Sequence, residues 1–263
     1  MTLTGLTPNH VQALLNRALG NPVDPALARR VADVTAGNPL FVRELARVGA
    51  RAPGGLAEAL DQALLGRLPE GLVERLTLVF QSVSNRLPDE TRTVLHAAAV
   101  LGREFSVGPL ARMLAAEPRT CMDWLAPAVR HGWVEELGLA RFGFAHGLVR
   151  ETLYREVEPG ERARLHAAAR HALAQETARE PAHPSVLAHH SVLAATVDEP
   201  DRAIEDARAA ARRASEELGH EEAVHQLERA LPVAELGAHP ESVLGLRLDL
   251  ARARWHAGQS RRA

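Results

Sequence analysis

The sequence has no lysine: all 31 of its basic residues are arginine. A Walker A loop needs a lysine on the nucleotide phosphates, and a Schiff-base enzyme needs a lysine amine. This chain can therefore supply neither group itself, and two large classes of chemistry are excluded for it.

Cysteine and long apolar runs are also scarce. A single Cys121 excludes an internal disulfide and cannot make a zinc site alone, so we expect a small buried hydrophobe on a helix. No run reaches the length of a membrane span, and residues 1–10 lack the basic and apolar regions of an export signal. These features predict a cytoplasmic protein without membrane contact.

Aromatic residues make up only 3% of the 263 residues, whereas hydrophobic residues make up 46%. Alanine, leucine and arginine dominate, and these residues lead the helix-propensity ranking. The length allows two or three small domains. We therefore predict a mainly α-helical protein, with a near-neutral net charge of −2.

Helix start and stop signals are clearest in the first 66 residues. Thr7-Pro8 and Asp24-Pro25 each combine an N-cap residue with proline in the first helical turn. The stretch TAGNPLFVRELARV holds the next corner, where Gly37 ends one helix and Asn38-Pro39 begins another. These signals predict a small helical domain over 1–66.

The predicted secondary structure changes over 67–158, where a hairpin joins the helices. Apolar periodicity predicts three helices between residues 89 and 132. Two short runs, 133–137 and 140–144, contain aromatic residues and are separated by Gly138-Leu139, which predicts a β-hairpin. Three helices followed by one small hairpin is the element order of a winged-helix domain.

Residues 159–263 are predicted to be helical throughout. The segment from Gly219 to Ala223 is echoed from Gly258 to Ala263, and the helix between them partly matches a tetratricopeptide unit. An α-helical repeat region is expected, incomplete at its C-terminal end because the next helix would begin near residue 259. The predicted helices cover 161–177, 186–196, 201–218, 221–236 and 242–257.

Four stretches together resemble one family: TAGNPLFVRELARV, LPDETRTVLHAAAVLGREF, RFGFAHGLVRETLYREVEPGERARLHAAARHAL, and the helices AHHSVLAA and EEAVHQLERAL. They are similar to the large LuxR-type bacterial transcriptional regulators, which are signal-transduction ATPases with numerous domains. The resemblance implies a helical lid over 1–66, a winged helix over 67–158 and tetratricopeptide-like repeats over 159–263. It also implies a P-loop ATPase domain as partner, ATP or ADP as cofactor, and often a DNA-binding helix-turn-helix at the end.

The resemblance further implies two nucleotide contacts. Gly37-Asn38-Pro39 matches the family's GxP motif in the lid, whose proline packs on adenine. His146 stands where related ATPases keep a histidine on the ADP β-phosphate, although Gly147 replaces the usual aspartate that would orient it. Without a ligand, the same tripeptide is explained as a helix-to-helix corner.

Other functions find less support in the residues. Between residues 88 and 158, eight arginines face ten acidic residues, which argues against direct DNA binding by the winged helix, because phosphate neutralisation supplies most of that affinity. His183, His189 and His190 lack the i, i+4 spacing of zinc ligands and are expected to be surface or packing residues. No nucleophile-elbow motif is present in the sequence, so we expect no metal and no catalysis.

The predicted function is a regulatory and interaction segment of a nucleotide-switched transcriptional regulator. It would couple the nucleotide state to a helical region that senses a protein or small-molecule effector. The alternative is a freestanding helical adaptor that binds a protein partner through residues 159–263.

Overall fold

The computed structural model describes residues 6–35, 37, 39–64, 87–145, 147–175 and 182–259. The fold is mainly helical with one small antiparallel sheet, which confirms the predicted mainly α class. The chain divides into two compact units, the first formed by residues 1–106 and 119–156 and the second by 107–118 and 157–263. The three-domain division at 66 and 158 stays a prediction, since its first boundary lies outside the described residues.

The first unit begins with four helices. They are α1 (Pro8–Leu19), α2 (Pro25–Thr35), α3 (Pro39–Gly49) and α4 (Gly55–Leu64). Helix α1 packs against α2 and α3, and α3 packs against α4. Helix α4 ends at Leu64, and residues 65–86 lie outside the described residues.

The predicted start signals act as expected. The Thr7 side chain accepts from the His10 N–H and the Asp24 carboxylate accepts from the Ala26 N–H at 2.7 Å. Each bond satisfies a backbone donor that the first helical turn leaves without a partner. In both cases proline follows in the first position, where its missing N–H costs nothing.

The rest of the first unit combines helices with the sheet. Its elements are α5 (Asp89–Leu101), β1 (Glu104–Ser106), α7 (Pro118–Arg130), β2 (Val134–Gly138), β3 (Arg141–Phe144) and α8 (Gly147–Glu156). The fully buried side chains of this unit include Leu15, Leu60, Leu95, Leu125 and Leu153. Large aliphatic side chains therefore fill its core.

The sheet has three strands in the order β1-β3-β2, all antiparallel. The predicted hairpin is β2 and β3, but the prediction of a hairpin alone was wrong because it missed β1. Strand β1 has only three residues, too few for an alternating pattern to be recognised. Its Phe105 stands opposite Phe142, with ring centroids 6.2 Å apart, and both rings are buried.

The described part of the second unit consists of helices. They are α6 (Val107–Met113), α9 (Pro159–Ala174), α10 (Pro184–Ala194), α11 (Pro200–Glu216), α12 (His220–Ala230), a 3-10 helix (Leu231–Leu236) and α13 (Pro240–His256). Helix α6 packs on α9, and each helix from α9 to α13 contacts the next. The prediction of one helix over 221–236 was wrong, because Pro232 cannot donate a helical N–H bond and the α-helix gives way at Leu231.

Alanine dominates the core of the second unit. Ten of the sixteen buried residues in its main hydrophobic cluster are alanine, and the larger members include Ile204, Leu227 and Leu246. Small side chains allow helices to approach closely, so polar groups nearby become buried as well. Within the described ranges, no helix is both long enough and apolar enough to cross a bilayer.

Candidate functional site

The corner between α2 and α3 is the first candidate site. Gly37 has a φ of 66°, and its N–H donates to the Ala32 carbonyl at 3.0 Å. The Gly37 carbonyl accepts from the Leu6 N–H at 2.8 Å. A positive φ suits glycine, which has no Cβ to clash, so the residue ends α2 as the sequence predicted.

Pro39 begins α3 and is exposed, whereas Gly37 is buried. Behind Pro39, the helix is anchored by Val42, Leu45 and Ala46, all buried. A rigid helix thus carries an exposed proline ring at its first turn, where backbone N–H groups lack helical partners. Asn38, the middle residue of the motif, lies outside the described residues.

His146 also lies outside the described residues. The chain around it follows the prediction, since β3 ends at Phe144 and α8 begins at Gly147. Helix α8 contacts α2 within the first unit, so the helix after His146 touches the helix that leads into the corner.

Helix α7 occupies the place of a groove-reading helix in the predicted winged helix. Its Arg119 and Arg130 are exposed, and so are Asp123 and the flanking Glu117. Basic and acidic side chains therefore share its solvent face. On the opposite side, Cys121 is fully buried, as expected, and burial raises the pKa of its thiol.

A buried polar cluster in the second unit is the other candidate site. His166 on α9 and His190 on α10 are each 1% exposed, and their Nδ1 atoms are 2.8 Å apart. The ring of His189 stands edge-on to both, with centroid distances of 5.7 Å and 5.3 Å. Arg229 on α12 contacts the His189 Nδ1 at 2.9 Å.

An ion pair between α9 and α11 belongs to the same region. Arg170 donates two parallel hydrogen bonds to Asp206, at 2.9 Å and 3.0 Å, and both side chains are less than 20% exposed. The hydrogen bond to Asp206 raises the pKa of Arg170. Ser191, next to His190, donates a further short hydrogen bond to Asp206. The cluster thus links α9, α10, α11 and α12.

The sequence predicted that these histidines are surface or packing residues, but it did not predict which of them pair. His183 is exposed and accepts from the Ser185 N–H at the start of α10, and His190 packs in the interior, but the pairing with His166 was missed. No short motif joins residues 24 positions apart, and the alanines spread around α9 hide which of its faces is buried. Among the described residues, no group of three histidine, cysteine or acidic side chains could hold a metal ion.

No protein-family model matches the chain, and no curated protein matches it.

Proposed function

We propose that the chain is the lid, winged-helix and repeat segment of a nucleotide-switched regulator. In this role it performs no catalysis, and it transmits the nucleotide state of a P-loop domain to the helical repeats, which bind an effector. The resemblance of the four sequence stretches suggests the role. The observation that carries it is the element order from α5 to β3.

That element order is helix, strand, helix, helix, strand, strand, and the sheet order is β1-β3-β2. A winged-helix domain has the same succession, with its first strand added beside the final hairpin. The lid helices precede it and helices α9 to α13 follow it along the chain. The order of elements thus agrees with the order of domains that the resemblance implies.

The exposed Pro39 supports a nucleotide contact at the lid. An apolar ring on a rigid helix offers a flat surface to an adenine base, and the free N–H groups of the first turn suit an anionic ligand. A complete nucleotide pocket also needs a P-loop with a lysine as its second wall, and this chain contains no lysine. We therefore expect no micromolar ATP binding and no hydrolysis by residues 1–263 alone, measured by calorimetric titration and phosphate release.

The decisive test starts from the genomic sequence upstream of Met1. An in-frame G-x-x-x-x-G-K-[ST] would supply the second wall, and the extended protein can then be titrated with ADP. Pro39→Ala should weaken ADP binding roughly fivefold, since an apolar contact of this size is worth about 1 kcal/mol. Pro8→Ala is the matched control, because Pro8 is an exposed proline at the same position of α1.

Two results would count against this function. Micromolar ATP affinity of residues 1–263 alone would show that the nucleotide site needs no P-loop partner. Equal ADP affinity of the extended protein and its Pro39→Ala variant would remove the corner from the site. Direct DNA binding stays outside the proposal because of the mixed charge on α7.

The second candidate function is a helical adaptor, and the outer face of α13 favours it. Leu244, Leu248 and Trp255 are 59%, 51% and 67% exposed, and with Ala251 they follow one another at intervals of four, three and four residues. Such spacing places them on one stripe that suits packing against another helix. Exposed Arg247 and Arg252 lie beside the stripe, so the partner it fits is an amphipathic helix with acidic flanks.

A pair of synthetic helical peptides tests the adaptor function. Both carry the same apolar stripe, one with glutamate flanks and one with lysine flanks, and only the first should bind the full chain. Leu248→Glu should abolish binding, whereas Leu218→Glu should not, because Leu218 is also exposed, at 80%, but lies off α13. Equal binding of both peptides, or self-association of the chain through α13 in sedimentation experiments, would overturn this assignment.

A further inference from the structure

A glycine within α13 lies directly against an arginine of α11. A Cβ atom built on Gly245 would stand 2.9 Å from Nη1 of Arg208, 3.0 Å from its Cζ and 3.3 Å from its Nη2. These distances are shorter than ordinary van der Waals contact, so the guanidinium group occupies space that any other side chain at position 245 would fill. Glycine thus allows this group to lie against the backbone of α13.

Asp249, one turn further along α13, fixes the guanidinium group in this position. Nε of Arg208 donates to an Asp249 carboxylate oxygen at 2.7 Å, and the two side chains are 33% and 23% exposed. Among the residues that the structure describes, no other acceptor binds the Arg208 side chain. A guanidinium group has five N–H donors, of which Nε supplies one, so the Nη donors are left for solvent or a ligand.

The ion pair alone does not explain the glycine. An arginine side chain has many rotamers, so its end could move aside for an added methyl group and still reach a carboxylate on the next helix. Glycine within a helix is also less favourable than alanine. A position that departs from local preference without need from its ion pair is expected at a functional site.

The charges around Arg208 favour a ligand group with a single negative charge. Exposed Glu205 and Arg212 lie one turn before and after it on α11, and Arg252 on α13 is 75% exposed. With Asp249, three arginines face two carboxylates, which leaves a net charge of +1. A phosphate dianion would be repelled more strongly by the carboxylates, whereas a planar carboxylate matches the parallel N–H donors of a guanidinium edge.

We propose that Arg208, held against Gly245 by Asp249, binds a carboxylate group of a ligand of the helical repeats. Nη1 and Nη2 donate two parallel hydrogen bonds to that group, and Arg252 adds a second positive charge. As the site of the effector, this inference rests on the proposed function. As a carboxylate site it does not, because its tests use the chain without nucleotide, so that the ADP titration of the lid and the tests below fail separately.

Acetate is the probe, since it carries the carboxylate group alone. It replaces chloride at constant ionic strength and pH 7 in the full chain, while nuclear magnetic resonance records the Nε–H signals of arginine. The Arg208 signal should shift and saturate, whereas the Arg213 signal should shift little. Arg213 is the matched reference, because its Nε lies 2.7 Å from the Glu217 carboxylate and its Nη1 lies 3.8 Å from that of Glu216.

Two outcomes of this titration would overturn the proposal. Equal shifts of the Arg208 and Arg213 signals, or shifts that rise linearly with acetate, would show a general salt effect. Inorganic phosphate is the second probe and should bind more weakly than acetate. Tighter binding of phosphate would contradict the carboxylate class.

Variants test the parts of the site, with the Asp249 amide signal as a reporter that all of them retain. Arg208→Lys keeps the charge but lacks the parallel donors, and should weaken acetate binding about tenfold, as expected for loss of one charged hydrogen bond. Gly245→Ala should weaken it similarly, although the second unit should unfold at the same or a higher urea concentration, because alanine favours the helix.

Gly160→Ala is the matched control for the glycine variant. Gly160 also lies in a helix of the second unit, and a Cβ atom there would meet no atom of the described residues within 4 Å outside its own helix backbone. This variant should bind acetate like the unmodified protein. Unchanged acetate affinity in either Arg208→Lys or Gly245→Ala would refute the site and leave Gly245 as a packing feature of the ion pair.

Discussion

The two units of the molecule have different interiors. The first unit buries large leucine side chains and a cluster of phenylalanine rings on the sheet, whereas the second buries mostly alanine. Their buried polar groups differ as well. In the first unit, Thr35 and Thr91 donate to the backbone carbonyls of Val31 and Trp124, while the second unit encloses His166, His190 and Ser191.

The difference follows from side-chain size. A threonine hydroxyl beside a helix finds a carbonyl locally, so a core of large apolar residues accommodates it without further partners. Alanine-packed helices lie close together, and longer polar side chains between them must pair with one another to avoid unsatisfied donors and acceptors. We therefore expect the first unit to depend on apolar volume, and the second on close approach and on its polar pairs.

The largest effect is expected from loss of volume in the first unit. Leu95→Ala on α5 removes a fully buried side chain and should reduce the free energy of unfolding of that unit by about 2–5 kcal/mol. Exchange of α5 and sheet amides measures this locally. Leu139→Ala is the control, since Leu139 is 99% exposed, and should change stability by less than about 0.5 kcal/mol. Similar effects of both substitutions would contradict the described core.

The second unit should respond most to added volume. Ala207→Leu on α11 forces three more carbon atoms into a fully buried site of the alanine cluster and should destabilise the unit by about 1–3 kcal/mol. Arg212→Leu adds an apolar side chain at an exposed site of the same helix and should have little effect. If Ala207→Leu were neutral, close helix approach would not be what limits this core.

The same contrast determines what the sequence could predict. Helix starts at Pro8, Pro25 and Pro39 were predictable, because proline and glycine act through their own backbone geometry. The class of the fold was predictable from composition. Strand β1 and the break at Leu231 were missed, the first because it is short and the second because the apolar spacing continues through Pro232.

A candidate site was predictable only where its residues are adjacent in the sequence. The Gly37 corner could be recognised from adjacent residues, and its geometry agrees, whereas its link to nucleotide stays a prediction. The pairing of His166 with His190 depends on how α9 and α10 turn toward each other. Alanines on several faces of α9 leave no apolar stripe there, so the periodicity that locates a buried face is missing.

The polar pairs of the second unit should contribute in proportion to their burial. Asp206→Asn keeps the side-chain shape but removes the charge that binds Arg170, and should destabilise the unit by about 1–2 kcal/mol, a typical cost for a buried charged hydrogen bond. Glu217→Gln is the matched control, because Glu217 pairs with Arg213 at 2.7 Å while both side chains are 51% exposed. Its effect should stay below about 0.5 kcal/mol, and urea unfolding of both variants decides whether burial makes the difference.

The smallest effect is expected at an exposed pair of the same unit, and this effect depends on pH. Hydrogen bonds from Ser242 and His239 lower the pKa of Asp201 to about 2, and the Asp201 carboxylate 2.6 Å from the ring raises the pKa of His239. The stability that His239 contributes to the fold is fully present below the ordinary histidine pKa of 6.5, and it is lost as the pH rises through the raised pKa. The stability that Asp201 contributes to the fold is fully present above the ordinary aspartate pKa of 3.8, and it is lost as the pH falls toward 2.

The two contributions overlap fully between pH 3.8 and 6.5. The amides of His239 and Val243, which donate to the Asp201 carboxylate and to the His239 carbonyl, should therefore be better protected at pH 5 than at pH 8, and His239→Asn should remove the difference. Amides of α9 serve as the reference within the same unit. If they changed in the same direction as the amides at the start of α13, the pH response would be global, and the Asp201–His239 contact would not be its cause.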